Sequence, residues 1–572
     1  MKMWDEVFLA LAFLLAPIAA IAGEQPRVYQ EIAIAADHPA SSQAGLEVHA
    51  AGGNVVDVAA AVGFAQAVVR PASSGLGGGG FMVIWDAEKQ HATTIDYRER
   101  TPAAATRDMY LDENGEAIPD LSRVGHLAVA VPHHVAGLCY AVKKYGRLEL
   151  AQVLAPAIRL AKQGVPLDEH SVSVRQDIIE RMRRDPSLAK RFPSLLKLYL
   201  NNGHVPEVGD NFVSPIADLL ERIASQGPRA FYEGPAAEAL VREMQRGGGL
   251  ITLEDLRNVE ATERPPVRTK LEIGTIISMP PPSSGGIALI EILNILEAFE
   301  QLHPDLAEKL DNRNSILFRH VLTEGMKHAF ADRATFLGDP DYTEIPVQTL
   351  ISPEYAKTLA AKIKVQRTRP PEAYGRAMPI EDAGTTHFSV IDAAGNAVAC
   401  TETINLAFGS LVVVPETGVV LNDEMDDFAA KPGTPNAFGL VQSEHAAIGP
   451  GRRPLSSMSP TILIRDGKAV ASVGASGGPR IITATLQVLL NTTRFDMPPL
   501  AAVKAPRQHH QWLPNVLQLE PELFKSVREE LEARGHEVER RSAIGACQIV
   551  TRSTTGLRAA SDPRKGGAPA GK

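Results

Sequence analysis

Cysteine is scarce: Cys139, Cys400 and Cys547 are the only three in 572 residues. Three thiols cannot build a disulfide framework, and theirs lack the spacing of a metal site, so buried free thiols are the expectation. Aromatic residues make up only 5% of the chain. Basic residues are not in excess either. Lys+Arg number 58 against 67 Asp+Glu, a net charge of −9, without the basic face that nucleic-acid binding uses. Long apolar runs are confined to residues 7–22, which excludes a polytopic membrane protein. No internal repeat is evident. What remains is ordinary for a globular chain, 44% hydrophobic and 22% charged, enough to bury a sizeable core. At about 150 residues per domain, the length alone predicts three to four domains.

The apolar run reads VFLALAFLLAPIAAIA. It is shorter than the roughly 20 residues a spanning helix needs and is interrupted by Pro17. It ends in Ala20-Ile21-Ala22, a small-residue cleavage pattern before Gly23. Residues 1–22 are therefore expected to be a secretory signal, with export to the periplasm or medium; a retained anchor is the alternative. Beyond it, two helices are expected on either side of Gly52-Gly53, and a strand over Phe81–Trp85. Ile287–Leu302 reads as a helix, and Arg175–Arg184 as a solvated helix face. Val365–Ala383 reads as an exposed linker. Short β-branched runs follow at Thr386–Thr401 and Leu411–Leu421. The Gly-, Pro- and Lys-rich tail from Pro563 is expected to fray.

Two stretches match familiar signatures by letter. Gly75-x-Gly77-x-x-Gly80 matches the dinucleotide fingerprint, but a helix precedes it and a strand follows, the reverse of what phosphate binding requires. A turn where backbone passes close to backbone is the better reading. Gly474-Ala-Ser476-Gly-Gly478 matches a nucleophile elbow between a strand and a helix. A serine hydrolase built on Ser476, with Asp496 and His509 or His510 as partners, is one alternative, although little chain follows Ser476 to complete such a fold.

Thr385-Thr386-His387 stands at the junction between the linker and the β-rich segment. A threonine hydroxyl is a weak nucleophile without a base beside it. Cleavage before Thr385 would supply one, because a free α-amino group has a pKa near 7.7–8.0. Gly384, having no side chain, leaves its own carbonyl open to attack by the Thr385 hydroxyl. Taken alone, the triplet is equally a strand start.

Its company decides the matter. Thr403-x-Asn405, Asn422-Asp-Glu424-Met-Asp426-Asp427-Phe428, Pro454-Leu-Ser456-Ser457-Met-Ser-Pro460 and Gly474–Gly478 follow in order, and Asp96-Tyr-Arg98-Glu99 precedes. This ordered set, from about residue 30 to Arg564, resembles the γ-glutamyltranspeptidase family of N-terminal-nucleophile enzymes. The resemblance implies an α+β fold, the four-layer αββα sandwich. It further implies self-cleavage at Gly384–Thr385 into a large subunit (23–384) and a small subunit (385–572). Thr385 would be the nucleophile and Thr403 would aim its hydroxyl. Gly477 and Gly478 N–H groups would form the oxyanion hole. Arg98, Ser456 and Ser457 would bind the substrate α-carboxylate, and Asn405, Glu424 and Asp427 its α-ammonium. The implied substrates are glutathione and other γ-glutamyl compounds, with water, amino acids or peptides as acceptors, and no metal or organic cofactor is called for.

Each of these residues has a plainer reading: a turn for Ser456-Ser457, a helix cap for Asp426-Asp427, a surface ion pair for Arg98-Glu99. A same-fold acylase acting on glutaryl side chains is the nearer alternative, though it has no need of Glu424 and Asp427. Lys431–Gly439 resembles the family's lid loop, with Phe438 where a Tyr is common, so the lid is expected to be held by packing alone.

Overall fold

The computed structural model describes residues 27–374 and 385–572, except 432, 434, 435 and 441. The expected signal (1–22), Gly384 and residues 375–383 of the expected linker lie outside the described residues.

Two antiparallel sheets of seven and six strands stack face to face, with helices on their outer faces. In chain order their strands are β1 (Ile32–Ala36), β2 (Gly79–Asp86), β3 (His91–Tyr97), β4 (Thr262–Arg264), β5 (Val267–Leu271), β6 (Gly274–Ser278), β7 (Thr385–Asp392), β8 (Ala397–Thr403), β9 (Thr461–Arg465), β10 (Lys468–Ser476), β11 (Ala546–Ser553), β12 (Gly556–Ser561) and β13 (Ala570–Gly571). The first sheet runs β13-β1-β7-β8-β2-β3-β4 and the second β12-β11-β10-β9-β6-β5. This is the αββα sandwich. Chain from both sides of residues 375–384 is interleaved in each sheet, which replaces the separate domains that length suggested.

The period-2 geometry of strands explains the layering. On β1, Ile32, Ile34 and Ala36 join the core under the first helical layer, while Ala33 and Ala35 face the second sheet. On β8, Val398 and Cys400 take the helix side and Ala397 and Ala399 the sheet side, opposite Ala469, Ala471 and Ala475. Small side chains thus let the sheets close on each other with few aromatics. Helices α1 (Pro39–Ala50) and α2 (Val55–Val69) cover the first sheet, and α2 is buried along its whole length. Asn54 caps α2, accepting from Asp57 N–H while Asp57 accepts from Asn54 N–H, two otherwise orphan donors satisfied reciprocally. Helices α3 (Gly285–Leu302), α4 (Ile316–Phe336) and α5 (Arg480–Thr493) cover the second sheet.

The Gly75–Gly80 run behaves as a close-approach turn: a Cβ on Gly77 would collide with the Val420 carbonyl, and one on Gly78 with that of Thr403. The three cysteines are free and buried. Two expectations fail, and a third, the solvated Arg175–Arg184 face, fails at Arg175 while Asp177, Arg183 and Arg184 are exposed. Leu411–Leu421 forms a turn-rich loop closed by the isolated Val413–Val420 bridge. Arg175, on the helix Glu169–Arg184, is buried, donates to the Tyr199 and Ser171 carbonyls and lies over Phe212, because an Arg stem packs like an apolar side chain once its head finds acceptors. The tail is ordered: β13 pairs with β1, and Lys565 is buried against Asp37 at 2.8 Å. Its charged residues pair inside the protein, which composition could not reveal. No helix among the described residues is long and apolar enough to cross a membrane.

Candidate active site

Strand β7 begins at Thr385, opposite Thr403 at the end of β8. The Thr385 and Thr403 Oγ1 atoms are 3.5 Å apart, and Thr403 Oγ1 accepts the Asn405 N–H at 2.8 Å. His387 does not serve the threonine. Its ring nitrogens face Thr401 and Ser389, it packs against Gly474, and full burial pushes its pKa down to about 3. A hydroxyl held this way, with His387 turned to other partners, is suited to activation by an α-amino group of its own residue.

Between β10 and α5 the chain turns through Gly477 (φ +126) and Gly478 (φ +57). Both values favour glycine, and neither N–H has a partner among the described residues. Those two free donors beside Thr385 fit an oxyanion hole. Gly477→Ala forces a side chain into this backbone region, within 3.0 Å of Gly545 Cα. It is expected to lower kcat by about 10²–10³, the effect of losing one such donor, while the thermal midpoint moves by only a few degrees.

The opposite wall is electrostatic. Arg98 is fully buried, with Nη1 2.6 Å from Glu424, Nη2 2.5 Å from Asp427 and Nε donating to the Pro454 carbonyl. The surface-pair reading of Arg98-Glu99 therefore fails. Burial raises the carboxyl pKa values of Glu424 and Asp427, and Arg98 opposes the rise. Glu99 is pushed up to about 7 by the same burial. Carboxylates so placed favour a further cation. Asn405, at φ +74, donates its side-chain N–H to the Asp423 carbonyl, leaving its side-chain oxygen for the pocket. Ser456 Oγ accepts from the Met458 N–H, so its own proton remains to be donated.

These groups line one pocket: Thr385, Thr403, Asn405, Arg98, Glu424, Asp427, Ser456, Ser457 and Gly478, together with Phe438. Gly477 lines an adjoining cavity that also touches Thr385. The lid is held by more than packing. Ala437 N–H donates to Asp426 at 2.7 Å, Asn436 to Asp427 at 3.3 Å, and Gln511 to the Phe438 carbonyl at 3.0 Å. Backbone and amide donors do what the missing Tyr hydroxyl cannot.

Sequence reasoning missed Arg333 on α4. It is fully buried, donates from Nε to Ser284 Oγ at 3.0 Å, and its Nη1 and Nη2 have no hydrogen-bond partner among the described residues. Burial lowers its pKa and nearby Asp427 opposes this. Its helix also carries Arg319, His320, Glu324, Lys327, His328 and Asp332, so no signal in the sequence singled Arg333 out. The serine-hydrolase alternative loses its partners: His509 is held by Thr483 and Gln511, His510 Nδ1 accepts from the Trp512 N–H, and Asp496 is exposed. Elsewhere His320, Glu324 and His536 bring three potential metal-ligand atoms within 4.8 Å of one another. His320 and His536 hydrogen-bond each other at 2.7 Å, and Thr368 and Tyr374 donate to Glu324, while the buried His536 Nδ1 has no partner among the described residues.

Fold and site together define an N-terminal-nucleophile hydrolase architecture. A Bacillus halodurans cephalosporin acylase structure superposes with a TM-score of 0.82 at 26% identity, covering 96% of this chain and 97% of its own. A Pseudomonas nitroreducens γ-glutamyltranspeptidase complexed with L-DON gives 0.54 at 36% identity, over 59% of this chain and 95% of its own. The glutathione hydrolase proenzyme of Escherichia coli K12 is 41% identical over 528 residues, 92% of this chain and 89% of that one. Residues 41–572 match the family described as Gamma-glutamyltranspeptidase. The chain belongs to the γ-glutamyltranspeptidase family and is an enzyme of it.

Proposed function

We propose that the protein is made as a proenzyme, cuts itself between Gly384 and Thr385, and then transfers the γ-glutamyl group of glutathione-like donors to water or to an amine. The observation that carries this reading is the single pocket joining Thr385 to a buried set of opposed charges. In the first cut the Thr385 hydroxyl attacks the Gly384 carbonyl carbon; the Gly384–Thr385 C–N bond breaks as the ester forms, which frees the Thr385 α-amine, and water then hydrolyses the ester to release the Gly384 carboxylate and restore the hydroxyl. In turnover that amine takes the hydroxyl proton as Oγ attacks the donor's γ-carbonyl. Gly477 and Gly478 N–H groups hold the oxyanion. The leaving amine departs with the proton, leaving a γ-glutamyl ester on Thr385. Water or an acceptor amine then attacks the ester, its proton passing to the α-amine, and the hydroxyl is restored.

Specificity follows from the wall opposite Thr385. The donor α-ammonium meets Asn405, Glu424 and Asp427, while its α-carboxylate takes the remaining N–H groups of Arg98 and the hydroxyls of Ser456 and Ser457. The 1–22 segment is read as the export signal, placing the mature protein outside the cytoplasm.

An acylase with the same fold would accept a glutaryl group. Paired γ-glutamyl and glutaryl anilides differ only in the α-amino group and separate the readings. The γ-glutamyl compound is expected to give a kcat/KM at least about 10³ higher, because only it brings an ammonium to Asn405, Glu424 and Asp427. Equal rates, or preference for the glutaryl compound, would assign the acylase activity instead.

A further inference from the structure

The strand that begins at Thr385 is supported on one side only. With β8 the pairing continues to Thr385 itself, but with β1 it stops at Ala36–Phe388. Residues 385–387 therefore lack a strand neighbour on the β1 side. Two side chains take its place. Asp37, next after β1, accepts from the Thr386 hydroxyl at 2.8 Å and from Gln548 Nε2 at 2.5 Å. Lys565, from the tail, pairs with Asp37 at 2.8 Å and donates to the Thr385 backbone carbonyl and, at 3.3 Å, to Ser476 Oγ. All three ammonium protons thus have acceptors. One nitrogen touches both the strand that starts with the threonine and the residue just before Gly477.

We propose that Lys565 is a positioning residue for the reaction, holding the Thr385 carbonyl, and through it the hydroxyl, in register with the oxyanion glycines once the chain before Thr385 is cut. This rests on Thr385 being the nucleophile. A new chain terminus frays unless tied down, and a displacement of about 1 Å at a reacting group can cost about 10²-fold in rate. The tie itself is anchored. Arg70 donates to the Lys565 carbonyl at 3.0 Å, Arg564 pairs with Glu520 at 2.6 Å, and β13 joins the sheet just beyond. Burial lowers the Lys565 pKa, and Asp37 opposes that.

Lys565→Met alone leaves the Asp37 charge buried without its cation, so that variant is expected to melt early. The discriminating protein is the double variant Lys565→Met/Asp37→Asn. It removes both charges and lets the Thr386 hydroxyl rotate to keep a partner. Melting temperature, the half-time of precursor cleavage on a denaturing gel, and kcat and KM per cleaved chain are measured beside wild type. The expected result is a melting temperature near wild type, slower or no cleavage, and kcat lowered by about 30- to 100-fold with KM within about twofold. A double variant that cleaves and turns over like wild type overturns the proposal, as does one that stays as unstable as the single variant. Wild type treated in parallel with an electrophilic glutamine analogue must carry the label on Thr385. A label elsewhere removes the nucleophile on which the proposal rests, whatever the Lys565 variants do.

Discussion

Thr385→Ala is expected to run as one uncut chain and to lose activity by about 10⁴–10⁶, the range seen when a nucleophile is removed from a hydrolytic site. The fold should be unaffected. Thr385 is buried at a strand end, and its Oγ1 has one side-chain partner among the described residues, Thr403 at 3.5 Å, so the lost contact is small. Both defects should arise together because one hydroxyl serves both attacks. A Thr385→Ser variant keeps a hydroxyl on a less hindered carbon and should still cut and turn over. If Thr385→Ala cuts normally, or retains substantial activity, the threonine is not the nucleophile and the reading fails at its root.

The second large effect belongs to Arg98→Met. The guanidinium lies within 2.6 Å of both Glu424 and Asp427, and taking away one partner of a buried charge group costs about 2–5 kcal/mol. That corresponds to about 30-fold to several thousand-fold in kcat/KM when the lost contacts belong to substrate recognition. The pH dependence has a definite sign. Burial already raises Glu424 and Asp427, and the positive charge of Arg98 is what chiefly opposes that rise. Without Arg98 the carboxyls rise further, so they bind the substrate ammonium only at higher pH and the acidic limb of kcat/KM moves up. Stability moves in the opposite direction. A carboxyl whose folded pKa lies above its unfolded value keeps its contribution below the unfolded pKa and loses it as pH rises through the folded one. Arg98→Met should therefore melt higher at pH 5 than at pH 8, by a wider margin than wild type. A variant with unchanged KM and an unchanged acid limb would remove Arg98 from substrate binding.

How much of the molecule is legible in its sequence depends on how local each signal is. Helices α1 and α2, the strand after the glycine run and α3 are readable because their periodicity and caps lie in contiguous residues. Pocket residues are readable as an ordered set, although Arg98 and Glu424 lie hundreds of positions apart and only the fold makes them touch. Lys565 and Arg333 are not readable. Each is a charged residue whose burial depends on partners elsewhere in the chain, Asp37 and Ser476 for one, Ser284 and Asp427 for the other. The tail looks disposable because glycine, proline and lysine usually mark a frayed end, yet its lysine reaches the Thr385 carbonyl. The lid misleads for a related reason: the missing Tyr hydroxyl is visible in the sequence, and the backbone and amide donors that replace it are not.

On the proposed reading one hydroxyl, that of Thr385, carries both maturation and catalysis. Intact-mass analysis of the denatured wild-type protein, before and after reaction with an electrophilic glutamine analogue, tests this claim most directly. The account predicts two chains, the smaller beginning at Thr385, with a single added label on that first residue. One full-length chain, or a label on Ser476, would contradict it.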